Sequence, residues 1–120
     1  MHIRMHEKLI VWQESHKLCV WVYQLTGKFP DRERFGLITQ MQRASFSVSA
    51  NIAEGNRRRT TRDKIRFLNI SAASLEEVHS GFFLAKDLQY ISLEEFHKTD
   101  IFINRVSYLL MRFTIALKNV

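Results

Sequence analysis

Apolar residues recur every three or four positions along most of the 120-residue chain. This spacing places them on one face of a helix and predicts four helices, at about residues 8–26, 33–54, 61–88 and 93–118. In chain order, the rows are Val11, Ser15, Leu18, Val22, Leu25 and Phe29; Leu37, Met41, Ala44, Val48 and Ile52; Ile65, Leu68, Ala72, Leu75, His79 and Phe82; and Phe96, Thr99, Ile103, Val106, Leu110, Phe113 and Leu117. Small residues between the apolar positions of the second helix indicate that another helix approaches it closely.

Residues that stop helices lie between these segments. Gly27 is placed to cap the end of the first helix, and Pro30 cannot continue it. We expect Gly55 to end the second helix, with Asn56 able to adopt a left-handed conformation.

Side chains that cap helix starts follow these stops. Ser92 and Glu95 form a capping box for the fourth helix, and Thr60 with Asp63 gives a similar pair for the third. Asp31 is the candidate cap of the second helix.

The composition favours an all-α fold. One proline and four glycines are fewer turn residues than a sheet protein of this length normally has. Four helices with short links fold most simply as an antiparallel up-down-up-down four-helix bundle. We therefore predict a single domain over residues 1–120, with residues 1–7 as a frayed lead-in.

Two features bear on location. No apolar run reaches the ~18 residues of a membrane span, and the polar N-terminus lacks the apolar core of a signal peptide. Cys19 is the only cysteine, so it has no intrachain disulfide partner. Both features fit a cytoplasmic protein without a membrane partner.

Positive charge is concentrated between the second and third helices. The formal net charge of +6 favours anionic partners. Guanidinium groups donate paired hydrogen bonds to phosphate, and a helix start adds unpaired N–H groups. The candidate nucleic-acid-binding residues are Arg57, Arg58, Arg59, Arg62 and Arg66, with Arg43 and Lys64 as weaker members. Alternatively, the segment is a solvated turn whose arginines pair with Glu54, Glu76, Glu77 or a neighbouring subunit.

Other polar and aromatic residues refine this interpretation. Phe67 is the only aromatic residue near the arginines, which favours recognition of backbone or shape over base stacking. Asn51 and Glu54 are either polar contacts of a recessed site or, as we favour, helix-end hydrogen bonding with a Glu54–Arg58 ion pair. We expect His79 to be a core or interface histidine.

The first helix has a second row beside its core row, formed by Trp12, His16, Cys19 and Tyr23. The resulting wide stripe fits a bundle core plus a further contact such as a subunit interface. His16 and Cys19 have metal-ligand spacing, but no further ligands match them, so a buried pair is favoured. We therefore predict no metal site.

Catalytic signatures are absent from the sequence. There is no phosphate-binding glycine loop and no nucleophile motif. The adjacent carboxylates of Glu76-Glu77 and Glu94-Glu95 point to different sides of a helix. We therefore predict no enzyme activity, no catalytic residue and no cofactor.

Several motifs resemble the bacterial 23S rRNA intervening-sequence proteins, also called S23 ribosomal proteins. The similarity spans about residues 8–117, with Ala73 where glycine is usual and His79 where an acid is frequent. Its strongest part is Ser49-x-Asn51-Ile52-Ala53-Glu54-Gly55, followed by Arg58 and Phe67-Leu68; other matches are Val11-Trp12-Gln13, Phe29-Pro30, Phe35-Gly36-Leu37, Ser74-Leu75-x-Glu77 and Ala85-Lys86-Asp87-Leu88.

This resemblance implies a left-handed antiparallel four-helix bundle that assembles as a homopentamer. It also implies an association with RNA, since such genes lie within 23S rRNA genes, and a related branch binds a reverse transcriptase and nucleic acid as an accessory protein of diversity-generating retroelements. It implies neither catalysis nor a cofactor. Our first hypothesis is therefore an oligomeric nucleic-acid-binding bundle that prefers RNA. The alternative is a protein-interaction scaffold whose arginines bind an acidic protein partner or a neighbouring subunit.

Overall fold

The computed structural model describes residues 3–119 and contains four long helices, α1 (Ile10–Thr26), α2 (Leu37–Arg57), α3 (Thr61–Asp87) and α4 (Leu93–Lys118). Within this range there is no strand, and no helix has the length and apolar character that crossing a membrane requires. α1 packs against α2 and α4, and α3 packs against the same two helices. The predicted all-α four-helix bundle is confirmed.

The core is formed by the faces that apolar spacing predicted, with one difference in α3. Ala72 is exposed and His79 is only half-buried, although apolar spacing places both on the core face. Ser71 and Val78, each one position earlier, are fully buried instead. The largest fully buried side chains are Phe82, Leu18, Leu25, Met41, Ile52 and Leu75.

Small residues allow α3 to approach α2 closely, as predicted. The buried Ser71 hydroxyl donates a 2.8 Å hydrogen bond to the Val48 carbonyl of α2. This bond satisfies a polar group in the core, which allows a serine on the inward row of α3. Further along, a Cβ on Gly81 would lie 2.7 Å from Met41 Cγ.

The start of α2 differs from the sequence-based expectation. We expected a helix from about residue 33 with Asp31 as its cap; instead Asp31–Glu33 form a short 3-10 turn, and α2 begins at Leu37 with Gly36 in the N-cap position. Glu33 holds this link in place. Its carboxylate accepts a 2.8 Å hydrogen bond from the Tyr90 hydroxyl and a longer one, of 3.4 Å, from the Leu37 N–H. The link is therefore tied to the α3–α4 connection rather than wound into α2.

The α3–α4 connection follows its sequence signals. Gln89 adopts a left-handed conformation with φ of 63°, and the next N–H, of Tyr90, donates a 2.8 Å hydrogen bond to the Ala85 carbonyl. The predicted capping box is present, because Ser92 N–H bonds the Glu95 carboxylate at 2.9 Å and Glu95 N–H bonds the Ser92 hydroxyl at 3.0 Å. The backbone hydrogen bond from Ser92 lowers the pKa of Glu95.

The N-terminal lead-in is partly ordered by an aromatic contact. Met5–Lys8 form a 3-10 turn, although we expected residues 1–7 to be frayed. The His6 ring lies 4.9 Å from the Trp12 ring, and the turn packs against α1 and α2. The part of the expectation that concerns residues 1–2 lies outside the described residues.

Candidate nucleic-acid interface

α2 and α3 meet in a tight corner that contains the arginine-rich segment. Contrary to expectation, α2 continues through Gly55 to Arg57, and Asn56 is helical rather than left-handed. A Cβ on Gly55 would lie 3.1 Å from Phe67 Cβ and 3.2 Å from the Lys64 carbonyl oxygen. Gly55 is therefore required for a close crossing of the two helices and does not act as a stop.

Two side chains complete the helix ends at this corner. The Thr60 hydroxyl accepts a 3.1 Å hydrogen bond from Asp63 N–H, as predicted for the start of α3. The Lys64 ammonium donates a 3.0 Å hydrogen bond to the Asn56 carbonyl in the last turn of α2. A cation at a helix C-terminus is favourable, so Lys64 serves the fold at this position.

Two guanidinium groups cover the Phe67 ring. The Cζ atoms of Arg58 and Arg66 each lie 4.5 Å from the ring centroid. Arg58 also forms the predicted ion pair with Glu54, while Arg66 Nε lies 3.7 Å from the Asp63 carboxylate. The Nε of Arg58 is buried and has no hydrogen-bond partner among residues 3–119. Both arginines therefore brace the corner, which limits their reach toward a ligand.

Three other arginines of the segment point into solvent. Arg57, Arg59 and Arg62 are exposed and form no ion pair within the described part of the chain. Arg43 is also exposed, but it lies about 21 Å along α2 from Arg57 at 1.5 Å per residue. The structure thus brings together Arg57, Arg59 and Arg62 and leaves Arg43 apart.

One side of α3 extends this corner as a shallow groove. Arg62, Arg66 and Asn69 line it together, because their spacing of four and three residues places them on one side of α3, and Glu77 lies at its far end. Within residues 3–119 Glu77 forms no ion pair with these arginines, so the predicted alternative of arginine–glutamate pairing is realised here only between Arg58 and Glu54.

The bundle also brings both ends of the described chain, residues 3–119, to this corner. The N-terminal 3-10 turn contacts α2, and Lys118 lines a groove with Leu68 and Asn69 of α3. Exposed Arg4, Lys8 and Lys118 consequently add positive charge at the same end of the bundle. Local motifs gave no signal for these residues, because only the antiparallel topology places them beside the arginines.

Asn51 has a structural role in the seam between α2 and α3. Its amide donates hydrogen bonds of 2.8 and 3.0 Å to the carbonyl and hydroxyl of Ser47. Ser74 of α3 donates to the same hydroxyl at 2.9 Å. The helix-end interpretation of Asn51 is therefore replaced by hydrogen bonding within the helix seam.

The histidines of the described chain and the cysteine do not form a metal site. Cys19 is buried and accepts a 3.4 Å hydrogen bond from the Ser45 hydroxyl. His16 is exposed and stacks on Trp12 at 5.1 Å, so the expected burial of the His16–Cys19 pair is wrong for His16. His79 lies between α3 and α4, 3.4 Å from Asp100. No group of three or more His, Cys, Asp or Glu side chains suited to a metal ion exists among residues 3–119.

These features define a basic four-helix bundle with its positive charge concentrated at one end. The family model of the 23S rRNA-intervening sequence proteins matches residues 7–112, and the chain belongs to this family. Its structure is similar to a crystal structure of a protein with unknown function from the S23 ribosomal protein family of Bacteroides thetaiotaomicron. The TM-score is 0.81 at 23% sequence identity, over 88% of this chain and 95% of that chain. No curated protein matches the chain.

Proposed function

We propose that this protein is a non-enzymatic bundle that binds RNA by contacting phosphates with Arg57, Arg59 and Arg62. The observation that carries the proposal is the exposure of these three side chains at one corner, without ion pairs inside the described chain. Exposed guanidinium groups are suited to bidentate bonding with phosphate oxygens. The first turn of α3 adds backbone N–H groups and the positive end of a helix dipole.

The same corner favours recognition of the RNA backbone over recognition of bases. Phe67 is the aromatic side chain nearest the exposed arginines in sequence, and Arg58 and Arg66 already cover its ring. The Phe67 ring is therefore not free to stack on a base. Phosphate contacts position a nucleic acid without reading its sequence, so the expected ligand is structured RNA recognised by backbone and shape.

We further propose that the protein acts in the cytoplasm as a homo-oligomer, with the pentamer expected from the family resemblance. Exposed apolar side chains of α1 and α2 offer a contact surface, including Val20, Tyr23 and Phe46. An oligomer repeats the arginine corner, and linked copies convert weak phosphate contacts into useful avidity.

A pair of matched double variants tests the RNA-binding proposal. Arg57→Ala/Arg59→Ala removes two exposed arginines at the corner; Arg32→Ala/Arg34→Ala removes two with the same spacing at the opposite end of the bundle. Fluorescence anisotropy with a structured RNA at low salt should show at least about tenfold weaker binding for the corner variant. The control variant should bind as the wild type does.

Two results would decide against the proposal. Equal affinities of the two double variants would mean that the corner does not contact RNA. A wild-type protein without affinity for RNA at physiological salt, whose capture of an acidic protein depends on Arg57 and Arg59, would instead support the scaffold hypothesis. Circular dichroism and light scattering of each variant establish that fold and assembly are unchanged.

A further inference from the structure

The outer face of α4 carries a row of apolar side chains that the bundle leaves uncovered. Ile101, Tyr108, Met111 and Ile115 are 72%, 56%, 52% and 45% exposed. Their spacing places them on one side of α4, away from the core-facing residues of the same helix. Asn104 is exposed between Ile101 and Tyr108. Single exposed apolar residues are ordinary, whereas several on one helix face are typical of an interaction surface.

Cations border this row on the side that faces α1. Lys98, Arg105 and Arg112 follow one another at heptad spacing along α4. Arg105 donates to the Glu14 carboxylate of α1, and the Lys98 ammonium lies 4.9 Å from the Trp21 ring centroid. Arg112 is exposed and forms no ion pair within residues 3–119. The edge of the row is therefore positively charged, and contacts with α1 hold two of its three cations in place.

A shallow groove between α1 and α4 joins the row to this edge. Lys17, Lys98, Ile101 and Arg105 line it, together with Glu14. Glu14 is the acid of this groove, and its side chain is only 14% exposed because it pairs with Lys17 and Arg105. The surface presented to a partner is consequently apolar and cationic.

We propose that this α4 face binds an acidic amphipathic helix of a partner protein. Apolar side chains at three-, four- and seven-residue spacing accept the apolar face of a second helix, and acidic residues flanking that face pair with the cationic edge. The span from Lys98 to Ile115 is about 26 Å, long enough for several turns of a partner helix. A second copy docked through the same face would oppose Arg105 and Arg112 to like charges. A ring of copies instead joins two different faces, and the oligomeric state of Tyr108→Glu tests that arrangement.

The inference is separate from the RNA-binding proposal because Arg57, Arg59 and Arg62 are not part of the α4 face, although Met111 and Ile115 line the same α3–α4 groove as Lys118. A partner helix and RNA would use different surfaces of the bundle. The Arg57→Ala/Arg59→Ala variant should therefore bind a partner helix as the wild type does, even though it loses affinity for RNA.

The test uses a synthetic helical peptide of about three heptads, with leucine at the two apolar positions of each heptad and glutamate beside them. A control peptide carries lysine in place of every glutamate. Isothermal titration of the full chain should detect the acidic peptide and give at least about tenfold weaker binding of the lysine peptide. Ile101→Ser/Tyr108→Ser should weaken binding of the acidic peptide by at least about tenfold.

Two variants locate the binding on the protein. Arg112→Glu should weaken binding at low salt, because it reverses a charge at the edge without breaking an internal ion pair. Leu88→Ser/Leu93→Ser is the matched control, since both leucines are exposed but lie at the α3–α4 connection. This control should bind the peptide as the wild type does.

Four results would overturn the proposal. The first is equal binding of both peptides, and the second is unchanged peptide binding by the Ile101→Ser/Tyr108→Ser variant. The third is that Tyr108→Glu dissociates an oligomer into protomers. The fourth is α4-dependent binding to vesicles of phosphatidylcholine and phosphatidylglycerol by a protein that does not bind the acidic peptide. The third result would assign the face to a second copy, and the fourth would assign it to an anionic membrane surface.

Discussion

Replacing Gly55 with alanine tests whether α2 and α3 cross as closely as the structure shows. The crossing matters because it sets the geometry of the corner that displays the exposed arginines. In most helix interiors this substitution is favourable, so the sign of the effect is informative. We predict that Gly55→Ala destabilises the protein.

Two opposing contributions determine the magnitude. Alanine in place of glycine within a helix stabilises by about 0.5–1 kcal/mol. At Gly55 the new Cβ would lie 3.1 Å from Phe67 Cβ and 3.2 Å from the Lys64 carbonyl oxygen, and neither atom can rotate away. Overpacking of this kind costs about 1–3 kcal/mol. The expected net loss is about 1 kcal/mol, which lowers the melting temperature by about 4 °C.

The assay is thermal unfolding followed by circular dichroism at one protomer concentration, because self-association would otherwise change the apparent stability. Gly27→Ala is the control, since Gly27 is exposed at the end of α1 with right-handed φ of −61°. It should change stability by no more than about 0.5 kcal/mol. A Gly55→Ala protein that melts at a higher temperature than the wild type would refute the close crossing.

Three further predictions follow from the packing and the caps. Ser92→Ala should lower the free energy of unfolding by about 1 kcal/mol, measured by urea unfolding, because it removes the capping box of α4. The control is Ser107→Ala at an exposed helical position, which should be neutral or stabilising. Equal effects of the two substitutions would contradict the role of Ser92 as a cap. Phe82→Ala should cost about 3–5 kcal/mol in the same assay, since it empties a fully buried position, and a loss below that of Ser92→Ala would contradict its place in the core. A hydrogen bond from Arg105 lowers the pKa of Glu14 from its ordinary 4.5, so this carboxylate stabilises the fold above that pH and loses its contribution as the pH falls. Glu14→Gln should therefore cost up to about 1 kcal/mol at neutral pH and progressively less below pH 4.5, as measured by melting temperature against pH; a constant difference would argue against the ion pair.

Apolar spacing and cap residues were sufficient to predict the four helices and their packing as a bundle. Ser92 and Thr60 work as sequence signals because a cap depends on bonds within one turn of helix. Gly55 is not predictable in this way, because local rules associate glycine with helix ends, whereas here the absence of a Cβ allows a close contact with α3. The Glu33–Tyr90 bond beside the start of α2 likewise joins residues far apart in sequence.

The candidate interface was predictable as a charged segment but not as a set of exposed groups. Sequence places Arg57, Arg58 and Arg59 side by side without distinguishing them. The fold does distinguish them, because the crossing of α2 and α3 brings Phe67 under Arg58 while its neighbours stay exposed. Lys118 adds positive charge at this end of the bundle only because the helices are antiparallel. The residues around Lys118 in the sequence do not reveal that arrangement.

The central claim is that the exposed arginines of the α2–α3 corner contact phosphates. The most direct measurement is the salt dependence of binding to duplex RNA for the wild type, Arg57→Ala/Arg59→Ala and Arg32→Ala/Arg34→Ala. Each lost phosphate contact lowers the slope of log affinity against log salt by about 0.9, so the corner variant should lose about 1.8 per bound protomer. The control should keep the wild-type slope. The same slope for all three proteins would contradict the claim.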